Sequence, residues 1–165
     1  MAYSTYALYT SLYGNELTET EYNKLAYQAS RSLDGYTTGI DGLRKLENYF
    51  PTEEYDANAV RMCECELIHM LKQINDVENE ITNAHGYITR DDGTVVQKAV
   101  ASVSSGSESI SYSVKNLSGN AITAAAGDIS AKDSLMRTTV RRELSGIKDS
   151  NGINLLYMGA YPNVS

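Results

Sequence analysis

The sequence has no tryptophan, one phenylalanine, two prolines, two cysteines and two histidines in 165 residues. Each scarcity excludes something. Cys63 and Cys65 stand two apart in a helical pattern, where their side chains point about 200° apart, so they cannot bridge each other in place. A disulfide-stapled scaffold is therefore excluded, and two cysteines with the distant His69 and His85 do not make a zinc site. No run of about 18 apolar residues occurs, so no transmembrane helix is expected. The opening Met1-Ala2-Tyr3-Ser4-Thr5-Tyr6 lacks the basic region and apolar stretch of a secretory signal, and the expectation is a cytosolic product.

Catalytic signatures are equally sparse. Gly35, Gly39 and Gly42 have neither the spacing of a phosphate-binding loop nor a Lys-Ser/Thr pair. There is no Gly-x-Ser-x-Gly elbow. The adjacent acids Glu53-Glu54 and Asp91-Asp92 fit a helix start and a turn better than acid–base catalysis. His69 and His85 read as structural or solvated, and Cys63 as a small buried hydrophobe. No enzyme, cofactor or metal is expected.

Positive charge is also short, with 14 Lys plus Arg against 21 Asp plus Glu and a net charge of −7. Residues 1–85 carry 6 bases against 14 acids, and residues 86–165 carry 8 against 7. The acidic half repels a nucleic-acid backbone, which argues against a general grip on DNA. Unequal charge on opposite faces would suit head-to-tail association; a solvated acidic surface is the plainer explanation.

What the sequence has in excess is tyrosine, 13 in all. Tyrosine suits half-buried surfaces, as in an assembly subunit, although genome composition produces the same bias. The strongest pattern lies at about 55–84. There Val60, Cys63, Leu67, Met70, Ile74, Val77 and Ile81 recur three and four apart, which predicts one long amphipathic helix with a narrow coiled-coil-type seam. Its acids Glu64, Glu66, Asp76, Glu78 and Glu80 read as a solvated outer face.

Before that helix, 2–13 is aromatic and reads as a short helix or an extended arm, closed by Gly14-Asn15. Thr18 and Glu21 have capping-box spacing. Tyr22, Leu25, Ala26, Ala29 and Leu33 then form the stripe of a helix ending near Asp34-Gly35. Ile40, Leu43, Leu46 and Phe50 predict a second short helix. Beyond it, serines at 102, 104, 105, 107, 109, 111 and 113 alternate in part with Ile110, Tyr112 and Val114. This reads as a strand paired with 96–103 or, alternatively, as a flexible serine-rich linker. Residues 128–144 form a last helix with Ile129, Met136, Val140 and Leu144 as core contacts. Arg137, Arg141 and Arg142 sit on its later turns, where they match the helix dipole or meet an acidic neighbour across an interface. Gly146 stops it. The apolar stretch 153–161 has no helix around it and is expected to dock somewhere.

The expected fold is mainly α: a small helical bundle around one long amphipathic helix, in a single domain over 1–165. The helical core covers about 18–84 and 128–146. A β-hairpin or extended arm covers about 95–116, and 147–165 is a docking tail.

These residues carry a resemblance. Tyr3-Ser4-Thr5-Tyr6-Ala7-Leu8-Tyr9, followed by Tyr13-Gly14-Asn15-Glu16-Leu17-Thr18 and a helix, resembles the start of tailed-bacteriophage head–tail connector proteins, also called neck adaptors or head-completion proteins. The long acidic helix, the segment 108–114 (Glu-Ser-Ile-Ser-Tyr-Ser-Val), the last helix and the ending Gly152-Ile153-Asn154-Leu155-Leu156-Tyr157-Met158-Gly159 have counterparts there in the same order. The chain departs from the family at 45–52 and in a longer 86–96 connection.

The resemblance implies a non-catalytic virion protein, made in the host bacterial cytoplasm and located at the virion neck. About twelve copies would form a ring under the portal, extending the DNA channel and offering a platform to a tail-side stopper or tail terminator protein. DNA would pass through the lumen without sequence-specific binding, and no membrane is involved. Leu155, Leu156, Tyr157, Met158 and Gly159 are the portal-docking candidates. Ile110, Tyr112, Val114, Arg137, Arg141 and Arg142 are the inter-subunit candidates. The alternative function is a small helical interaction or regulatory module, or another virion component such as a tail-completion protein.

Overall fold

The computed structural model describes residues 2–83, 87–89, 95–97, 102–105, 108–111 and 120–162. Helices are α1 (Tyr6–Tyr13), α2 (Glu19–Thr37), α3 (Lys45–Asn48), α4 (Glu54–Asn83), α5 (Ala121–Gly127) and α6 (Ile129–Glu143). The fold is mainly α. The chain forms two compact units, residues 1–72 with 133–165, and residues 73–132.

In the second unit the backbone pairs β1 (Tyr87–Thr89) with β2 (Val95–Gln97), and β3 (Ser102–Ser105) with β4 (Glu108–Ser111), both antiparallel. Tyr112 and Val114 lie outside the described residues, and at Ile110 only the backbone, in β4, is described. The stretch rich in small residues before Asp128 forms α5, capped by the Asn120 side chain at the Ile122 N–H. Asp128 Oδ1 accepts from the Ser130 and Ala131 N–H groups and so starts α6. Ile129, expected in the core, is 88% exposed. It occupies the first helical position, where the cap fixes the backbone while the side chain faces solvent.

The first unit is built around α4 as far as residue 72. There Val60, Cys63, Leu67 and Met70 are buried as the stripe predicts, but so are Glu64, Cys65, Ile68 and Leu71; Ile74, in the second unit, is buried too. The helix is therefore covered on most sides at its middle, not along a narrow seam, because several elements wrap it. Burial pushes the Cys65 thiol up to about 11 and that of Cys63 higher still, so both stay protonated and poorly nucleophilic near neutral pH.

Local chemistry fixes α1 and α2. Thr5 caps α1 at the Leu8 N–H. Thr18 and Glu21 form the reciprocal capping box, with both hydrogen bonds in place. The tyrosines join these helices: Tyr9 is fully buried, with the rings of Tyr13 and Tyr22 5.2 and 5.7 Å away. Tyr13 stacks on His69 of α4 at 4.2 Å. Tyr9 and Tyr22 thus serve the interior, while Tyr13 is half-buried against His69 and Tyr27 and Tyr55 are exposed.

Two helix boundaries differ from expectation. α2 runs through Gly35 to Thr37, because Thr37 is buried and the Tyr36 hydroxyl donates to Asp133 Oδ1 at 2.7 Å; tertiary contacts outweigh one glycine. The second short helix shrinks to α3. Gly39-Ile40-Asp41-Gly42 forms a turn, with the Gly42 N–H on the Gly39 carbonyl and a left-handed φ of 76° at Gly42. Ile40 is left 84% exposed, while Leu46 is buried.

Glu64 overturns the solvated-face reading at its position. Its carboxylate accepts from the Tyr3 N–H at 2.9 Å and from the Ser4 N–H and hydroxyl, which tie residues 3–4 to α4. Burial raises its pKa above the ordinary 4.5, opposed by these hydrogen bonds. A carboxyl whose folded pKa is raised contributes stability below its unfolded pKa and loses it as pH rises through the folded value. Urea midpoints of the native protein should therefore fall more steeply than those of Glu64→Gln as pH rises above about 4.5. Parallel pH profiles would show that Glu64 titrates as in water.

Candidate functional site

The C-terminal segment has no helix of its own, so its backbone groups need partners elsewhere. A Lys148–Asn154 bridge and the Leu155 N–H on the Ile147 carbonyl fold it back on itself. Asp149 closes the turn, accepting from the Asn151 and Ile153 N–H groups and from the Tyr161 hydroxyl at 2.6 Å. The Tyr161 ring stacks on Tyr49 at 4.8 Å, and its N–H donates to Asp41 at 2.7 Å.

The main fastening is Lys45, which is fully buried at the start of α3. Its ammonium donates to the Leu155 carbonyl at 2.9 Å and to the Tyr157 carbonyl. Burial holds its pKa below the ordinary lysine value, and the charges of Asp149 and Asp41 oppose that shift. Next to it the Ile40 N–H donates to the Met158 carbonyl at 3.0 Å. A Cβ at Gly39 would stand 2.7 Å from the Gly159 carbonyl oxygen, so this close approach requires glycine.

The pinned segment sorts the portal-docking candidates. Leu155 is fully buried in its own chain, so its side chain is not presented to a partner. Gly159 is half-buried against Gly39. Tyr157 and Met158 are 46% and 50% exposed and form the open part of the segment. Leu156 and Met158 share a cleft of about 70 Å³ with Tyr36, Val140, Arg137 and Arg141. Residues from two separate sequence predictions therefore meet on one surface, with Ile40 beside it.

The arginines also separate. Arg142, expected at an inter-subunit contact, is paired within its own chain to Glu66 at 2.9 Å and Glu143 at 2.7 Å. Arg137 pairs with Asp133 at 3.3 Å and lies 4.9 Å from the Tyr36 ring centroid. Arg141 is exposed and has no ion pair among the described residues. Sequence reasoning missed Lys45, Ile40 and Tyr36. A lysine next to a core leucine was a visible signal, but its carbonyl partners lie 110 and 112 residues away.

Among the described residues no group of three or more His, Cys, Asp or Glu is placed to hold a metal ion. None of their helices is long and apolar enough to cross a membrane. No family model matches the chain, and no curated protein or solved structure matches it. The segment presents half-exposed apolar side chains on a fixed backbone, with arginines at its edge.

Replacing Lys45 with Met should leave the Leu155 and Tyr157 carbonyls unpaired and cost about 1–3 kcal/mol. The expected result is a lower urea midpoint together with faster chymotryptic cleavage after Tyr157. Cleavage at the native rate would show that the tail is held without the lysine.

Proposed function

We propose that this chain is a non-catalytic adaptor of a tailed-bacteriophage neck. In this reading about twelve copies ring the channel between the portal and a tail-side stopper or terminator, and duplex DNA passes without sequence-specific binding. The observation that carries the reading is the pinned C-terminal segment. It offers Tyr157 and Met158 to a partner from a backbone already fixed by Lys45, beside Leu156, Arg137 and Arg141. A pre-ordered segment loses little conformational freedom on docking, and exposed Tyr and Met next to Arg are typical anchors of protein interfaces.

The internal pairing of Arg142 and Arg137 favours a second reading to that extent. With those charges satisfied in one copy, a small helical interaction module or a tail-completion protein would use the same Tyr157–Met158 face without a ring.

Cosedimentation with purified portal tests the proposal. The double substitution Tyr157→Ala, Met158→Ala removes two half-exposed side chains but neither carbonyl that holds Lys45, so the protein should stay folded while portal binding falls at least tenfold. Binding that survives in the folded variant removes the docking assignment. Portal binding by single copies, with no ring on the portal, would favour the second reading.

A further inference from the structure

Away from the tail surface, a groove of about 680 Å³ opens between residues 2–3, α2, α3 and the start of α4. That volume is in the range of ligand clefts. Its floor is aromatic: Tyr3 and Phe50 stack with ring centroids 5.5 Å apart and planes 12° apart. Two arginines flank it, Arg31 at 5.8 Å from the Tyr27 ring centroid and Arg61 at 5.8 Å from that of Phe50. Neither forms an ion pair among the described residues. Arg31 donates to the Tyr27 hydroxyl and Arg61 to Asn58 Oδ1.

The acids of the groove are already engaged. Asp34 accepts the Tyr3 hydroxyl proton at 2.5 Å, and burial raises its pKa. Glu47 pairs with Arg44 at 3.3 Å. An aromatic floor between two guanidiniums without counter-ions calls for a ligand that is apolar in the middle and anionic at its edges. The planar fork of arginine matches a carboxylate in bidentate fashion.

We propose that this groove binds an acidic peptide segment of a partner protein, with an aromatic or aliphatic side chain on the Tyr3–Phe50 floor and carboxylates on Arg31 and Arg61. Charge decides against nucleic acid as the occupant. Residues 1–85, which contain the groove, carry 14 acids against 6 bases. A nucleic acid runs its phosphates past the groove and over that acidic surface. A short peptide places its few carboxylates within the groove, where a Debye length of about 8 Å at physiological salt screens the more distant acids. The inference does not depend on the neck-adaptor reading.

The test uses the full chain at about 0.15 M salt and fluorescence anisotropy with three labelled probes. These are the peptide Ser-Asp-Glu-Phe-Glu-Asp-Ser, its counterpart with lysine at every acid, and single-stranded oligothymidylate of similar length. The acidic peptide should bind saturably with Kd below about 1 mM and at least tenfold more tightly than either other probe. The variant R31E/R61E should weaken it at least tenfold, and R31Q/R61Q at least threefold. K24E, on the exposed face of α2 outside the groove, should leave it within twofold. Absence of saturation by the acidic peptide, preference for the oligonucleotide, or unchanged binding by a folded R31Q/R61Q protein would each overturn the proposal.

Discussion

A buried ammonium must find oxygen, and in this chain it finds the carbonyls of Leu155 and Tyr157. Among the described residues Lys45 forms no ion pair, so its desolvation is offset chiefly by backbone acceptors over 100 residues away, with help from the charges of Asp149 and Asp41. Lifting the tail would strand a charge in an apolar setting, a state costing several kcal/mol. The segment is thus held by a penalty on its release as much as by its own apolar contacts. The exposure of Tyr157 and Met158, the cleft that Leu156 and Met158 share with α6 and the close approach of Gly39 to Gly159 all belong to the segment that this one fastening holds.

Glu64 does the same for the other end of the described chain. One carboxylate on the central helix collects the backbone N–H groups of Tyr3 and Ser4 and the Ser4 hydroxyl, which itself lies 2.8 Å from the Tyr22 hydroxyl. Fixing Tyr3 sets its ring on Phe50 and makes the aromatic floor of the groove. Two buried ionisable side chains, one acidic and one basic, therefore each hold a chain segment without helix, and each segment builds a surface.

The two surfaces differ in chemistry. The tail face is apolar with one unpaired arginine at its edge; the groove is aromatic between two unpaired arginines. In a chain of net charge −7, Arg31, Arg61 and Arg141, which form no ion pair among the described residues, stand out against the acidic remainder. Short-range hydrogen bonding and ring contact act there within a screening length, while the long-range field stays acidic.

Much of the local architecture was legible in the sequence. Thr18 and Glu21, the α2 stripe, the long α4 and the stop at Gly146 rest on contacts between residues three or four apart, or on one backbone angle. Such signals are complete within a few residues. The site was legible only in part: the tail was recognisable as a docking stretch, but which of its side chains turn inward was not. The fates of Lys45, Glu64, Ile40, Leu155 and Arg142 were decided by partners 60 to 112 residues distant for the buried ionisable groups, and by which faces remained uncovered for the others. A charged residue reads the same in sequence whether water or a carbonyl solvates it. Only the tertiary structure chooses between them, because desolvation depends on every element that closes around the group.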